Sequence, residues 1–294
     1  MQIHLVDATY ELFRAFYAPR PSIYAPDGRD VGAVVGLLYT LLTLLRDEGA
    51  THVGCATDHV IRSWRNREYA GYKSEAGVPR ELLDQFELAE RAMTAMGLVV
   101  WPEVEFEADD ALGVAADRFA ADARVERVLI CTPDKDMAQC VRDDRVVLRD
   151  RRRDLTIDRT GVLERWGVEP ESIPDWLGLV GDAADGFPGL PGWGKRSASA
   201  VLARFGHLEE IPADSAEWHV DVRNAGGLNA TLRAQWDDAL LFRHLATLRA
   251  DTPLPQTDPE DLRWNGACRT EFHALCEELG QPRLAARPHL WQED

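Results

Sequence analysis

Short apolar runs alternate with helical periods through the first half of the chain. QIHLV at 2–6, HVGCAT at 52–57, LVVW at 98–101, VLICT at 128–132 and RVVLR at 145–149 each predict a short buried strand. Between them, residues 31–45 read as a largely buried helix and 108–120 as a second. Residues 80–96 carry helical spacing through Leu82, Leu83, Phe86, Ala89, Met93 and Met96. Strands alternating with helices predict an α/β fold built on a mostly parallel sheet. After about residue 160 the strand runs stop, and helical segments succeed one another between Gly and Pro. The densest punctuation is GFPGLPGWG at 186–194, with helices predicted at about 195–204 and 229–248 and a weakly patterned, Pro-punctuated tail over 252–294. No internal repeat and no low-complexity tract interrupts this plan.

Composition narrows the class. With 294 residues, 45% hydrophobic and 28% charged, the chain is an ordinary globular protein of about two domains. Its net charge of -17 means that nucleic acid cannot be held by global charge; any such contact needs local basic islands. The longest uncharged apolar run, Val31 to Leu45, is shorter than the roughly 20 residues that span a bilayer. MQIHLVD at the start has no basic, signal-like character, so a cytoplasmic protein without membrane contact is expected. Cys55, Cys131, Cys140, Cys268 and Cys276 are odd in number and form no CxxC pair, which argues against a disulfide framework or a zinc site. The eight histidines have no ligand spacing.

Candidate chemistry lies in the carboxylates. Asp7 ends the first strand and Asp58 the second; Glu107, Asp109 and Asp110 open the helix after the third; Asp134 and Asp136 come just after the fourth. Ligands of open α/β sheets bind beyond the carboxyl ends of the strands, so four strand ends deliver acids to one edge. Asp182 and Asp185, in GDAAD, come from the later helical region. Singly, each such residue is more often a turn or a helix cap. Jointly they repel one another unless cations neutralise them, and acids without His or Cys suit hard ions such as Mg2+ or Mn2+. Enough acids for two ions suggests phosphodiester cleavage.

Five stretches in order, VDATYELFRAFYA (6–18), the YK pair (72–73), FEADDALG (106–113), TPDKDMAQ (132–139) and GDAADGFPGLPGWGKRSA (181–198), resemble the bacterial 5'-3' exonuclease and flap endonuclease family, which includes the 5' nuclease domain of DNA polymerase I. The resemblance covers about residues 1–250, and the remaining tail is too short for a polymerase, so a stand-alone member is expected. It implies a PIN-like (resolvase-like) sheet flanked by helices, then a helical DNA-binding region with a helix-two turns-helix element. It also implies that Asp7, Asp58, Glu107 and Asp109 hold one ion, and that Asp110, Asp134, Asp136, Asp182 and Asp185 hold a second, with Asp109 between them. The acidic balance is then partly the active site itself.

Basic islands offset that acidity locally. Residues 186–206 hold Lys195, Arg196 and Arg204 and no acid, and Gly189, Gly192 and Gly194 precede a helix starting near Lys195. Such a loop can bring backbone N–H groups to a phosphate. In the family this element grips duplex backbone without reading sequence and commonly binds K+. Arg62, Arg65, Arg67 and Lys73 form a second island, which the resemblance implies leads into a helical arch over about 62–96; Lys73 and Arg65 match residues that meet the scissile phosphate. Tyr10, Trp64 and Tyr72 are candidates for stacking on unpaired bases or for simple packing. The family's second arch cation is absent: Ala76 stands three residues after Lys73, and Arg80 is the nearest basic residue beyond. Arg149, Arg151, Arg152 and Arg153 around Asp150 read as a solvated hairpin before a DNA contact.

The sequence thus predicts a nuclease domain over 1–175, a helix-two turns-helix region over 176–250 and a tail over 251–294 that packs on the body. The expected function is a monomeric two-metal 5' nuclease for DNA with a free 5' end, nick or flap, working with replication or repair proteins. Rival readings are a structure-specific DNA-binding protein without turnover and a PIN-type ribonuclease.

Overall fold

The computed structural model describes residues 1–19 and 21–292. In chain order the elements are β1 (Gln2–Asp7), α1 (Ala8–Phe16), α2 (Gly32–Arg46), β2 (His52–Asp58), α3 (Arg65–Glu68), α4 (Arg80–Leu83), α5 (Phe86–Ala95), β3 (Val99–Glu103), α6 (Ala108–Ala120), β4 (Arg127–Cys131), β5 (Val146–Asp150), β6 (Leu155–Ile157), α7 (Arg159–Trp166), α8 (Ile173–Val180), α9 (Lys195–Phe205), α10 (Ala225–Ala234), α11 (Trp236–Ala246) and α12 (Arg269–Glu278). They fall into two compact units. Unit 1 comprises 1–61, 75–132 and 250–294; unit 2 comprises 62–74 and 133–249. The sequence division at 175 therefore differs from the compact units, because 133–175 groups with the later helices.

Unit 1 is built on four parallel strands in the order β3-β2-β1-β4. Six of the seven residues of β2 are buried, as expected of a central parallel strand covered on both faces. The chain steps outward from β1 to β2 and β3, then returns to β4 on the other side of β1, so the topological switch point lies between β1 and β4. Helix α2 buries ten of its fifteen residues in the core, and at its start Asp30 Oδ1 accepts from Gly32 N (2.8 Å). The Gln85 side chain adds a cap from a distance, accepting from Ala33 N (3.0 Å) and Val34 N (3.2 Å). Gln85 lies where the helical period predicted over 80–96 breaks into α4 and α5.

The tail is ordered onto unit 1 despite its weak pattern. Trp264 donates from its indole to Met96 O (2.8 Å), Cys268 N donates to Ala95 O (3.0 Å), and Arg118 donates to Leu254 O (2.9 Å) and Gln256 O (2.6 Å). Phe272, Leu275 and Cys276 of α12 complete the same core.

Unit 2 pairs the β5–β6 hairpin, which is antiparallel, with the helices α7 to α11. Helix α8 packs on α11, and the buried Asp175 ties α8 to Arg243 of α11 (2.9 Å) and to His207 (2.9 Å). The helix predicted over 229–248 is two helices, broken where Gln235 leaves helical geometry (φ -119, ψ 37). No described helix is long and apolar enough to cross a membrane.

Candidate active site

In unit 1 the acids sit at strand ends and helix starts, and backbone N–H groups hold several of them. Asp7, at the end of β1, is 7% exposed and caps α1: its Oδ1 accepts from Tyr10 N (2.8 Å) and its Oδ2 from Thr132 Oγ1 (2.9 Å). This bond lies at the β1/β4 switch point. Asp58, at the end of β2, accepts from Ala108 N at the start of α6 (2.8 Å). Glu107 caps α6, and Asp110 accepts in return from Glu107 N (3.1 Å); both are buried. Asp109 is half-buried on the same first turn. Oriented N–H donors and the helix dipole offset the cost of burying these acids.

One acid in this region was missed by the sequence reasoning. Strand β3 runs on to Glu103, two residues past the apolar run, and Glu103 stands opposite Asp58 in the parallel register. It is 7% exposed. Burial first, then the charges of Asp110 and Asp58, push its carboxyl up to about 7.

Unit 2 holds its acids differently. Asp136, Asp182 and Asp185 bring one ligand oxygen each to within 4.8 Å of one another, the one such group among the described residues. Asp136 is buried, and its Oδ1 has no hydrogen-bond partner. Burial, then Asp134 and Asp185, push its carboxyl well above the usual carboxylate range. Asp134 is exposed and accepts from Asp136 N (3.0 Å). A buried carboxylate oxygen without a hydrogen bond, among acids and with only the Lys135 ammonium at 3.6 Å, fits a hard divalent ion.

The loop that carries Asp182 is a fold-back. Gly181 (φ +81) and Gly189 (φ +69) lie back to back: a Cβ on Gly181 would come within 2.3 Å of Pro188 C, and one on Gly189 within 2.4 Å of Gly181 N. Across the neck, Asp182 N donates to Phe187 O (2.8 Å) and Phe187 N to Asp182 O (3.0 Å). Gly189 thus serves this close internal approach. Gly192, Gly194, Lys195 and Arg196 behave otherwise. They line an open cleft of about 810 Å³ together with Asn224 and Thr231, and Gly194 caps α9.

Two lysines enter the unit 2 group. Lys135 ion-pairs with Asp182, and its Nζ lies 3.6 Å from Asp136 Oδ1. Burial opposes its charge, but Asp136, Asp182 and Asp134 raise its pKa above the usual lysine value. Lys73 Nζ lies 3.2 Å from Asp185 Oδ1, and Lys73 N donates to Asp185 O (2.8 Å). Lys135 stood inside the TPDKDMAQ stretch without an assigned role; its position between two acids was the available signal.

Arg65 is 2% exposed, stacks over Trp64 at 4.6 Å, and donates to Leu245 O (2.7 Å) and Thr247 O (3.3 Å). A guanidinium so committed serves as an internal strut. Trp64 and Tyr72 are likewise buried and pack within unit 2. Arg62, Arg67, Ala76 and Arg80 are exposed, and Arg80 pairs with Asp84 (2.7 Å). In the hairpin turn, Arg149 pairs with Asp154 and Arg153 with Asp150 (3.0 Å).

Comparison with known proteins agrees with this geometry. Residues 2–167 match the 5'-3' exonuclease N-terminal resolvase-like domain, and 168–270 match the 5'-3' exonuclease C-terminal SAM fold. DNA polymerase I of Mycobacterium bovis is 34% identical over 280 residues, covering 94% of this chain and 30% of that protein. DNA polymerase I of Bacillus caldotenax is 31% identical over 281 residues, covering 94% and 31%. The chain therefore spans about a third of the length of these curated relatives. Among solved structures, the T5 D15 protein co-crystallised with metal ions superposes with a TM-score of 0.64 at 15% identity, covering 97% of this chain and all of that one. The catalytic core of Rad2 in complex with DNA substrate gives 0.60 at 14% identity, covering 94% and 85%. At that identity these two likenesses speak to the fold alone. The family matches take in most of the chain and both kinds of acidic stretch: the chain belongs to the 5'-3' exonuclease family.

Proposed function

We propose that this chain is a metal-dependent 5' nuclease that hydrolyses DNA phosphodiesters at a free 5' end, a nick or a 5' flap. The observation that carries the reading is the Asp136, Asp182 and Asp185 group with its orphaned buried oxygen. It works with two divalent ions, Mg2+ or Mn2+. Asp136, Asp182 and Asp185, with Asp134 beside them, hold one; Asp7, Asp58, Glu107, Asp109 and Asp110 serve the other. Such ions, when bound, supply a hydroxide nucleophile and neutralise charge on the phosphate and the departing 3' oxygen. The chain's own residues orient the reactants. Carboxylates fixed on strand ends and helix caps lose little freedom on binding a cation. Lys73, already on the rim of the unit 2 group, brings an ammonium to the phosphate as negative charge develops there. Water adds to phosphorus, the P–O3' bond breaks, and the products carry a 5'-phosphate and a 3'-hydroxyl.

The cleft at Gly192, Gly194, Lys195 and Arg196 takes duplex phosphates by backbone N–H groups and the two cations, with K+ as its further ligand. The protein works as a cytoplasmic monomer in replication or repair. Cleavage of 5'-flap DNA and of a matched RNA, each with and without Mg2+, tests the reading. Metal-dependent cutting of the DNA flap is expected. Binding without cutting would favour a non-catalytic binder, and preferred cutting of RNA a PIN-type ribonuclease.

A further inference from the structure

Glu103 has no assigned task. The acids that the family resemblance implies for the metal centre do not include it, yet it lies among them. It ends β3 opposite Asp58, the last residue of β2, in the parallel register. Register partners on adjacent parallel strands send their side chains to the same face, with strands about 4.8 Å apart. The neighbouring donors are already engaged: Ala108 N is held by Asp58, and Glu107 N by Asp110. The Glu103 backbone is engaged too, its carbonyl accepting from His59 N (2.9 Å). Its carboxyl makes no hydrogen bond and no ion pair among the described residues, although the residue is only 7% exposed. A carboxylate in so buried a residue, with no protein partner and two acids beside it, has only solvent at its edge to compensate its charge.

We propose that Glu103 is an additional carboxylate ligand, direct or through water, for the divalent cation held on the Asp58 side of unit 1. The inference rests on the metal-dependent reading above. In that arrangement the cation supplies the partner that Glu103 lacks, and the carboxylates that repel one another become its cage. Strand register fixes where Glu103 starts from, so the ligand is presented by the sheet and not by a mobile loop.

The test is a titration with Mn2+ alone, monitored by electron paramagnetic resonance of the free ion, together with melting curves in EDTA and in saturating Mn2+. The wild-type chain is compared with Glu103→Gln and Glu103→Asp. Glu103→Gln is expected to weaken one class of bound Mn2+ by about tenfold or more, the scale of losing an outer partner of a metal site. It should also melt higher than the wild type in EDTA and gain less on adding Mn2+. Glu103→Asp keeps the charge, so it should keep part of the affinity. Identical Mn2+ stoichiometry, affinity and melting increment in all three proteins would overturn the assignment and leave Glu103 a packed, neutral acid. If the wild type binds no Mn2+, the metal-dependent reading itself fails. Should Glu103→Gln not fold, Glu103→Asp decides: affinity equal to wild type overturns the assignment, and a partial loss supports it.

Discussion

Units 1 and 2 both carry clustered carboxylates, and they hold them by different physics. In unit 1, Asp7, Asp58, Glu107 and Asp110 accept from backbone N–H groups at the starts of α1 and α6. The sheet and the helix caps thus fix those acids whether or not a cation is present. In unit 2, Asp136, Asp182 and Asp185 crowd to within 4.8 Å, leave one buried oxygen orphaned, and draw in Lys135 and Lys73. There the two lysines add cationic compensation to the backbone donors Ala184 N and Asp136 N. The contrast teaches that the two sets should respond differently to substitution. Unit 1 acids double as fold elements, so their loss mixes folding with chemistry. Unit 2 acids are like charges in a small volume balanced against Lys135 and Lys73, so removing one should act mainly on the chemistry.

The sharpest way to break this contrast is Asp182→Ala. Single-turnover cleavage of a 5'-flap DNA should fall by about 10³-fold or more, beyond the cost of one preorganised donor, while flap binding in Ca2+ persists. Near-normal turnover in saturating Mg2+ would remove unit 2 from the chemistry. Next in size is Lys73→Ala, expected to slow cleavage by about 10²-fold with a much smaller change in DNA affinity, because a cation that meets developing charge acts mainly in the transition state. Equal losses of rate and affinity would make Lys73 an anchor for DNA.

Arg65→Ala separates fold from chemistry in the same unit. The change strips donors from Leu245 O and Thr247 O and empties a buried site, at a cost of about 2–3 kcal/mol in denaturant unfolding. Single-turnover cleavage by the fraction that remains folded should stay close to wild type. A stable protein with impaired cleavage would return Arg65 to the phosphate.

Arg65 also marks where sequence reasoning ran out. A run of basic residues reveals charge but not direction, and here the neighbouring Trp64 and Tyr72 pull the guanidinium inward. The five predicted strands stand within a residue or two of their places, because apolar runs between polar ends are the direct image of a buried parallel sheet. Strand β6 is only three residues long with two exposed, so it leaves no run to find. Helix α1 went unpredicted although Ala8, Glu11, Leu12 and Ala15 bury one helical face and Asp7 caps it. The acids at strand ends were legible from chain position. Glu103 was not, since hydrophobicity stops at Trp101 while the hydrogen-bonded strand continues.

The cleft beside α9 extends the comparison from acids to cations. Lys195 and Arg196 are exposed there, unlike Lys135 and Lys73, which are paired with carboxylates. Replacing both exposed cations with Ala should weaken flap binding about equally across sequences. The log–log salt slope should become shallower by about one unit for each phosphate no longer neutralised. An unchanged slope, with the fold intact, would move the DNA interface away from this cleft.

The smallest expected effect concerns pH, and it distinguishes the two ways of holding acids within unit 1 itself. Burial, with Asp110 and Asp58 beside it, raises the Glu103 carboxyl from 4.5 to about 7. The folded chain therefore binds a proton over that interval that the unfolded chain has released. Stability rises with pH only where the unfolded state holds more protons, so the sign here is the reverse. The Glu103 contribution should be most favourable below pH 4.5 and should fade progressively as pH rises toward about 7. Other groups titrate in the same interval, so the measurement is a difference: urea unfolding of wild type and Glu103→Gln, both in EDTA, from pH 5 to 8. The variant should gain on the wild type as pH increases, because its amide has no charge to bury. A constant difference would mean that the Glu103 carboxyl ionises in the folded chain as it does in the unfolded one. The helix caps of unit 1 would then tolerate a further charge without a cation, and the contrast with unit 2 would rest on the orphaned oxygen of Asp136 alone.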